Sequence, residues 1–196
     1  MNESLNPFEN KIPGYLSQDL GKIHNFYISG EIKKAEYYTD WFQIMRSASA
    51  LDIIYIHLNS EGGDAFTAIQ MMRVLSETQA KVVTSAEGLV ASAATMIFMC
   101  GDQCEVSEHT MFMFHTFSSF SYGKGNEMIA QVKTEAEWGQ KLMREIYDGF
   151  FAEDEINSLL DGKDYWMDAD EVLKRLKNKK KVEETPKKRQ SRKNSS

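Results

Sequence analysis

A β-like run and a helix of small residues meet in the stretch Gly88-Leu89-Val90-Ala91-Ser92-Ala93-Ala94-Thr95. The apolar run at 82–86 precedes it, and the helix is predicted to continue to Met99. Ser92 therefore stands where a strand turns into a helix, between small neighbours that leave its hydroxyl accessible. A helix N-terminus offers unpaired N–H groups and the positive end of a dipole, which suits a nucleophile that generates an oxyanion. The alternative is that Ser92 only caps the helix, as serine commonly does.

Strands and helices alternate on either side of this stretch. Strands are predicted at 25–32 and 52–58, and helices at 34–48 and from Phe66 through Leu75. The strand at 52–58 is almost continuously apolar, which is typical of a strand buried on both faces. Two further short strands are predicted at 103–106 and 111–115. A strand–helix unit repeated three times predicts an α/β fold with right-handed crossovers.

A long amphipathic helix is predicted at 126–151. Its apolar face recurs at steps of three and four residues and comprises Ile129, Val132, Ala136, Gly139, Met143, Ile146 and Phe150. The helix is longer than a core of this size needs, so part of it is expected to pack on another subunit. The same pattern would also fit an ordinary core helix. The segment 153–160, a turn at Gly162 and a last short helix opened by Asp168 follow.

Charge is distributed unevenly along the 196 residues, whose formal net charge is −6. Residues 174–196 carry eleven Lys or Arg against two Glu, so the rest of the chain is strongly acidic. From 178 onward the chain lacks apolar periodicity, which predicts a basic, disordered tail at 178–196. Residues 1–24 are predicted to form an N-terminal arm. The acidic body argues against nucleic acid as the main ligand.

The remaining sequence features indicate a cytoplasmic protein. No apolar run approaches the ~18 residues that a membrane span requires. The N-terminus has neither the basic nor the apolar region of a signal peptide. Cys100 and Cys104 are the two cysteines, and their spacing without a second pair makes a zinc site a poor interpretation. No metal and no membrane partner are therefore expected.

Two adjacent glycines, Gly62 and Gly63, follow the strand at 52–58. They lack the Lys-Ser/Thr of a Walker motif, and no G-x-G-x-x-G occurs, so neither a nucleotide nor another cofactor is predicted. Adjacent glycines allow positive φ and leave backbone N–H groups bare. They are candidate oxyanion donors, although a simple tight turn would also explain them.

A serine nucleophile needs a base and a group that orients the base. Among the four histidines, His115 ends the apolar run 111–114, beyond the carboxyl end of a predicted strand, where open α/β sheets place their sites. The orienting carboxylate could be Asp161, Asp164 or another, because spacing alone does not choose between them.

The motifs in their order resemble the proteolytic subunit of Clp protease (ClpP). They are Asn59-Ser60-Glu61-Gly62-Gly63, then Gly88-Leu89-Val90-Ala91-Ser92-Ala93, then Met111-Phe112-Met113-Phe114-His115, and the segment 159–171 resembles the aspartate segment of that family. The resemblance covers about 25–175. It implies the ClpP/crotonase-like spiral of repeated β-β-α units, a peptidase domain at 25–177, and a projecting handle helix at about 126–151.

The resemblance also assigns roles to individual residues. Ser92 would be the nucleophile, His115 the general base and Asp161 the orienting carboxylate, with Asp164 in reserve. Backbone N–H groups of Gly63 (or Gly62) and Ala93 would form the oxyanion hole. The sequence departs from the family at five positions near these motifs: Glu61, Ala93, Ala94, Thr116 and Phe117.

The function implied is a cofactor-free serine endopeptidase that cleaves unfolded or partner polypeptides. By resemblance, two stacked seven-membered rings of this chain would enclose the sites, with an AAA+ unfoldase as an expected partner. Three alternatives stay open: a signal-peptide-peptidase-like enzyme with a Ser–Lys dyad, a crotonase-type acyl-CoA enzyme, and a catalytically silent ring subunit.

Overall fold

The computed structural model describes residues 21–116 and 124–184. Its strands are β1 (Ile23–Ser29), β2 (Ile53–Ser60), β3 (Lys81–Ala91), β4 (Gln103–Val106), β5 (Met111–Phe114) and β6 (Tyr165–Asp168). Its helices are α1 (Thr39–Ser47), α2 (Ala65–Glu77), α3 (Ala93–Phe98), α4 (Gly125–Tyr147), α5 (Glu153–Leu160) and α6 (Ala169–Glu184). A 3-10 turn at Ala35–Tyr38 precedes α1. The alternation of strands and helices confirms the α/β prediction.

Strand β3 is the branch point of the sheet. It lies parallel to β2 on one side, and on its other side it pairs first with β4 over 83–86 and then with β5 over 89–91. Strand β6 closes the order β1-β2-β3-β5-β6 and is antiparallel to β5. The sequence predicted only 82–86 of β3. Its extension to Ala91 brings the end of β3 beside the end of β5, which is where Ser92 and His115 follow.

The core lies on one face of the sheet. Along β2, Ile54, Ile56 and Leu58 are completely buried, and each contributes roughly 1.5–3 kcal/mol of hydrophobic stabilisation. The alternate residues Tyr55 and His57 are only half-buried. The prediction that this strand is buried on both faces is therefore wrong: within the part of the chain that the structure describes, only the face that carries Ile54, Ile56 and Leu58 is fully buried.

Helix α4 is embedded at its C-terminal end and exposed at its N-terminal end. Met143 and Ile146 are buried, whereas Ile129 is 74% exposed and Val132 is 50% exposed. The helix ends at Tyr147 rather than at the predicted 151, because the chain turns at Gly149, whose φ is +73°. The apolar stripe read from the sequence thus continues outward, past the part that packs on this chain.

The predicted domain limits shift at the C-terminal end. Helix α6 runs from Ala169 to Glu184, so it includes residues 178–184 of the predicted disordered tail. The rest of that tail, and residues 1–20 of the predicted arm, lie outside the described residues. Among the helices that the structure describes, none has the length and apolar character to span a membrane.

Candidate active site

Ser92 has a strained backbone at the junction of β3 and α3. Its φ is +54° and its ψ is −128°, a combination that a non-glycine residue rarely adopts. Its N–H donates to the Met113 carbonyl at 2.9 Å, and its carbonyl accepts from the Thr95 N–H at 2.9 Å. The side chain makes no capping hydrogen bond to α3, so the capping interpretation fails. Strained turns of this kind expose a nucleophile.

The hydroxyl of Ser92 instead contacts His115. The distance between Ser92 Oγ and His115 Nε2 is 2.6 Å. The two residues follow β3 and β5, which run parallel with Ala91 opposite Met113, so their side chains leave the same edge of the sheet. This is the nucleophile–base geometry that the sequence predicted for these two residues.

Two backbone N–H groups beside Ser92 have no acceptor among the described residues: those of Gly63 and Ala93. The N–H of Gly62, by contrast, donates to Ser60 Oγ at 3.0 Å. Of the three predicted oxyanion donors, Gly63 and Ala93 are therefore available to a ligand, and Gly62 is not.

Gly62 serves the site through its lack of a side chain. A Cβ there would lie 2.7 Å from the Ser92 Cβ and 2.8 Å from the Ala91 carbonyl oxygen, and the φ of Gly62 is +99°. Both the backbone conformation and the close approach to Ser92 therefore require glycine.

A small open cavity of about 120 Å³ adjoins the hydroxyl. It is lined by Gly63, Ala65, Ser92, Ala93, Met96, His115, Thr116 and Met143. Met96 and Met143 contribute apolar lining, and Ser92 and His115 contribute polar lining. A peptide with an apolar side chain could therefore be bound beside the Ser92 hydroxyl.

The two predicted carboxylates lie outside this cavity. Asp161 is exposed at the C-terminal end of α5, and its N–H donates to the Asn157 carbonyl at 2.9 Å. Asp164 is exposed immediately before β6. Within the described part of the chain, neither forms a hydrogen bond with His115. In the antiparallel register of β5 and β6, the last pair is Phe114 with Tyr165, and His115 and Asp164 are the next residues of the two segments.

The sequence profile of the Clp protease family matches residues 17–175. The chain belongs to the Clp protease family. It is also 33% identical over 90 residues to the ATP-dependent Clp protease proteolytic subunit 2 of Treponema denticola. That match covers 45% of this chain and 45% of the relative. The resemblance seen in the motifs and the expected ClpP-type fold are thereby confirmed.

The other histidines of this Clp protease family member lie away from Ser92. His57 Nδ1 is 2.5 Å from a Glu87 oxygen, and its ring stacks between Tyr27 and Tyr55. His24 is placed near Asp52, and His109 occupies the turn before β5. None of the three forms a hydrogen bond with Ser92 in the described residues. His115 alone of the four therefore has the geometry of a base.

Cys100 and Cys104 are free and half-buried. Burial raises the pKa of the Cys100 thiol to about 12, so it stays protonated and unreactive. Among the described residues, no cluster of His, Cys, Asp or Glu has the arrangement of a metal site.

Two site residues were missed in the sequence: Thr95 and Tyr147. Thr95 Oγ1 donates to the Ser92 carbonyl oxygen at 2.6 Å and lies 2.6 Å from the hydroxyl oxygen of Tyr147. Thr95 lies three residues after Ser92, which is the spacing that places a side chain back over a helix start. That spacing was a usable signal for Thr95. No local signal links Tyr147 to it across 52 residues.

Proposed function

We propose that this chain is a serine endopeptidase of the ClpP type. The observation that carries the proposal is the 2.6 Å contact of Ser92 Oγ with His115 Nε2, beside two N–H groups that have no acceptor within residues 21–116 and 124–184. Membership of the Clp protease family supports the same activity. Because the curated relative is matched over only 45% of its length, its activity and partners are proposals for this chain.

The residues of the site suit a two-step acyl transfer. His115 Nε2 takes the proton of Ser92 as the oxygen attacks a peptide carbonyl, and the oxyanion binds the N–H groups of Gly63 and Ala93. His115 then gives that proton to the leaving amine, and the C–N bond breaks to leave an acyl-serine. Water, deprotonated by His115, hydrolyses the ester and restores the hydroxyl. Each oxyanion donor contributes roughly 3–4 kcal/mol to the transition state.

The third member of the triad is proposed from the strand register. Asp161 was the first choice by resemblance, but its backbone belongs to the C-terminal end of α5. Asp164 directly precedes β6 and is next to Tyr165, whose partner Phe114 directly precedes His115. A rotation of either side chain would be needed for a hydrogen bond to His115, and catalytic hydrogen bonds are often long before substrate binds. We therefore favour Asp164, with Asp161 as the alternative.

The proposed assembly follows from α4 and the family. The exposed Ile129 and Val132 continue an apolar stripe beyond the part of α4 that packs on this chain. Exposed apolar surface of this kind marks an interface. We propose that this half of α4 packs against another copy, in stacked seven-membered rings that enclose the sites. The substrate would then be an unfolded polypeptide, supplied by an AAA+ unfoldase.

A fluorophosphonate probe tests the activity without knowledge of the substrate. The purified chain should become covalently labelled at Ser92, as peptide mass spectrometry would show. Ser92→Ala should abolish both labelling and cleavage of unfolded casein, whereas Ser85→Ala should leave both unchanged. A chain that labels at no serine, although assembled, would be a silent ring subunit, and the peptidase proposal would be wrong.

A further inference from the structure

A pair of buried hydroxyl groups connects α3 with the C-terminal end of α4. Thr95 is fully buried in α3, and Tyr147, the last residue of α4, is 1% exposed. Their oxygens are 2.6 Å apart, and Thr95 Oγ1 is also 2.6 Å from the Ser92 carbonyl oxygen. The two hydroxyls thus form a chain that ends on the backbone of the proposed nucleophile.

The direction of the protons in this chain is determined by the acceptor. A carbonyl oxygen only accepts, so Thr95 must use its single O–H on the Ser92 carbonyl. The Tyr147 hydroxyl therefore donates to Thr95 Oγ1. Burial raises the pKa of Tyr147, which keeps this donor protonated. No other partner of either hydroxyl occurs among the described residues, so each group depends on this arrangement.

Hydrogen bonds to the backbone N–H and carbonyl groups of Ser92 hold this residue in its strained conformation. A positive φ in a non-glycine residue costs free energy and persists only where the surroundings fix it. The Ser92 N–H is held by the Met113 carbonyl, and the Ser92 carbonyl is held by both the N–H and the hydroxyl of Thr95. The Thr95 hydroxyl adds the shorter of the two bonds on that carbonyl.

Tyr147 also contacts the strand that carries the base. Its ring meets that of Phe114 edge to face, with centroids 5.5 Å apart, and Phe114 directly precedes His115. Phe151 packs against both rings, at 5.8 Å from Tyr147 and 5.2 Å from Phe114. Tyr147 therefore contacts Phe114, the neighbour of His115, with its ring, and contacts Thr95, which binds the Ser92 carbonyl, with its hydroxyl.

We infer that Thr95 and Tyr147 are positioning residues that keep the Ser92 backbone in its strained conformation and its hydroxyl directed at His115. The inference rests on the proposed role of Ser92 as nucleophile. It adds Tyr147 to the contribution of α4, whose Met143 already lines the cavity beside the Ser92 hydroxyl.

Four variants and a control test this inference on the full assembled chain. Thr95→Val should lower kcat for a fluorogenic peptide about tenfold, as the loss of one ordinary hydrogen bond would, with KM little changed. Thr95→Ser should restore most of the rate, because it restores the hydroxyl. Tyr147→Phe should lower kcat by a smaller factor, since Thr95 still donates to the Ser92 carbonyl. The matched control is Thr84→Val, which removes another buried hydroxyl that donates to a backbone carbonyl, that of Phe98.

The double variant Thr95→Val with Tyr147→Phe separates positioning from mere stability. Thr95→Val alone leaves the Tyr147 hydroxyl buried without an acceptor, so its melting temperature should fall. The double variant removes that unpaired donor, so its melting temperature should rise above that of Thr95→Val while kcat stays low. Recovery of kcat together with stability would overturn the inference, as would equal losses in Thr95→Val and Thr84→Val.

Labelling of the unsubstituted chain keeps the two proposals apart. If that chain does not react with fluorophosphonate, the proposed function fails. The crystal structure of Thr95→Val then decides the inference: a Ser92 φ that stays near +54°, with its hydroxyl still on His115, overturns it, and a relaxed φ supports it.

Discussion

Substituting Gly62 by alanine should damage the site through a clash that the structure locates. The new Cβ would lie 2.7 Å from the Ser92 Cβ, 2.8 Å from the Ala91 carbonyl oxygen and 3.1 Å from the Ala93 nitrogen. Two of these atoms are backbone, so the turn that carries the nucleophile must shift. A displacement of about 1 Å at a reacting group costs about 100-fold in rate. Peptidase activity of Gly62→Ala should therefore fall at least about 100-fold.

Gly30→Ala provides the matched control for this clash. Gly30 has a comparable φ of +81°, but a Cβ there would meet nothing within 4 Å. In both variants, a left-handed alanine lowers the free energy of unfolding by about 1–2 kcal/mol. Only Gly62→Ala should lose about 1–3 kcal/mol more through overpacking. Urea unfolding should show this difference in the free energy of unfolding, and Gly30→Ala should keep its activity within about twofold. Equal stability and equal activity in the two variants would refute the reasoning.

Three further predictions concern the carboxylate, the effect of acid on stability, and the assembly. Asp164→Asn should reduce kcat more than Asp161→Asn, as steady-state peptide hydrolysis would show; the reverse ranking would return the role to Asp161. Backbone N–H groups of Lys22 and Ser49 lower the pKa of Asp52 to about 2 from 3.8. Because the pKa of Asp52 is depressed in the folded state, the ionised carboxylate stabilises the fold above about pH 4, and this stabilisation is lost as the pH falls towards 2. The free energy of unfolding, measured with urea, should therefore fall less steeply across that range in Asp52→Asn than in the unsubstituted chain. An unchanged slope would contradict this. Replacing Ile129 and Val132 by Asp should yield smaller species in light scattering, since unpaired charges in an apolar contact cost several kcal/mol; an unchanged mass would exclude this half of α4 from the interface.

The sequence singled out Ser92 and His115, the proposed nucleophile and base, because both belong to short motifs at strand ends. An apolar run ending in His115 and a small-residue turn at Ser92 are local patterns, and parallel strands bring such ends to one edge of a sheet. The limits of β4 were likewise predicted from the sequence and agree with the structure. The length of β3 was not readable, because the Gly88 segment looked like a turn and proved to be strand.

Local sequence patterns do not distinguish Gly62 from Gly63 as the proposed oxyanion donor. Gly62 and Gly63 are equivalent as residue types, and both have positive φ. The hydroxyl of Ser60 distinguishes them, because it occupies the N–H of Gly62 and leaves that of Gly63 unpaired. A side-chain bond across two residues depends on the shape of the turn, which residue identity alone does not specify.

The third catalytic residue depends on a register that only the folded sheet supplies. Asp161 and Asp164 lie three positions apart, and their distance in sequence from His115 suits either of them. Helix α5 ends at Leu160, so Asp161 directly follows that helix, whereas the pairing of β5 with β6 ends at Phe114 and Tyr165, the residues next to His115 and Asp164. Strand pairing is decided by contacts between segments some fifty residues apart, so a shift of one residue would change the partner without changing any local motif. The hydroxyl chain from Tyr147 to Ser92 has the same origin, since it forms only when the end of α4 packs over α3. Local motifs therefore indicate which residues of this chain could act at the proposed site, and tertiary packing determines which of several chemically equivalent residues lies there.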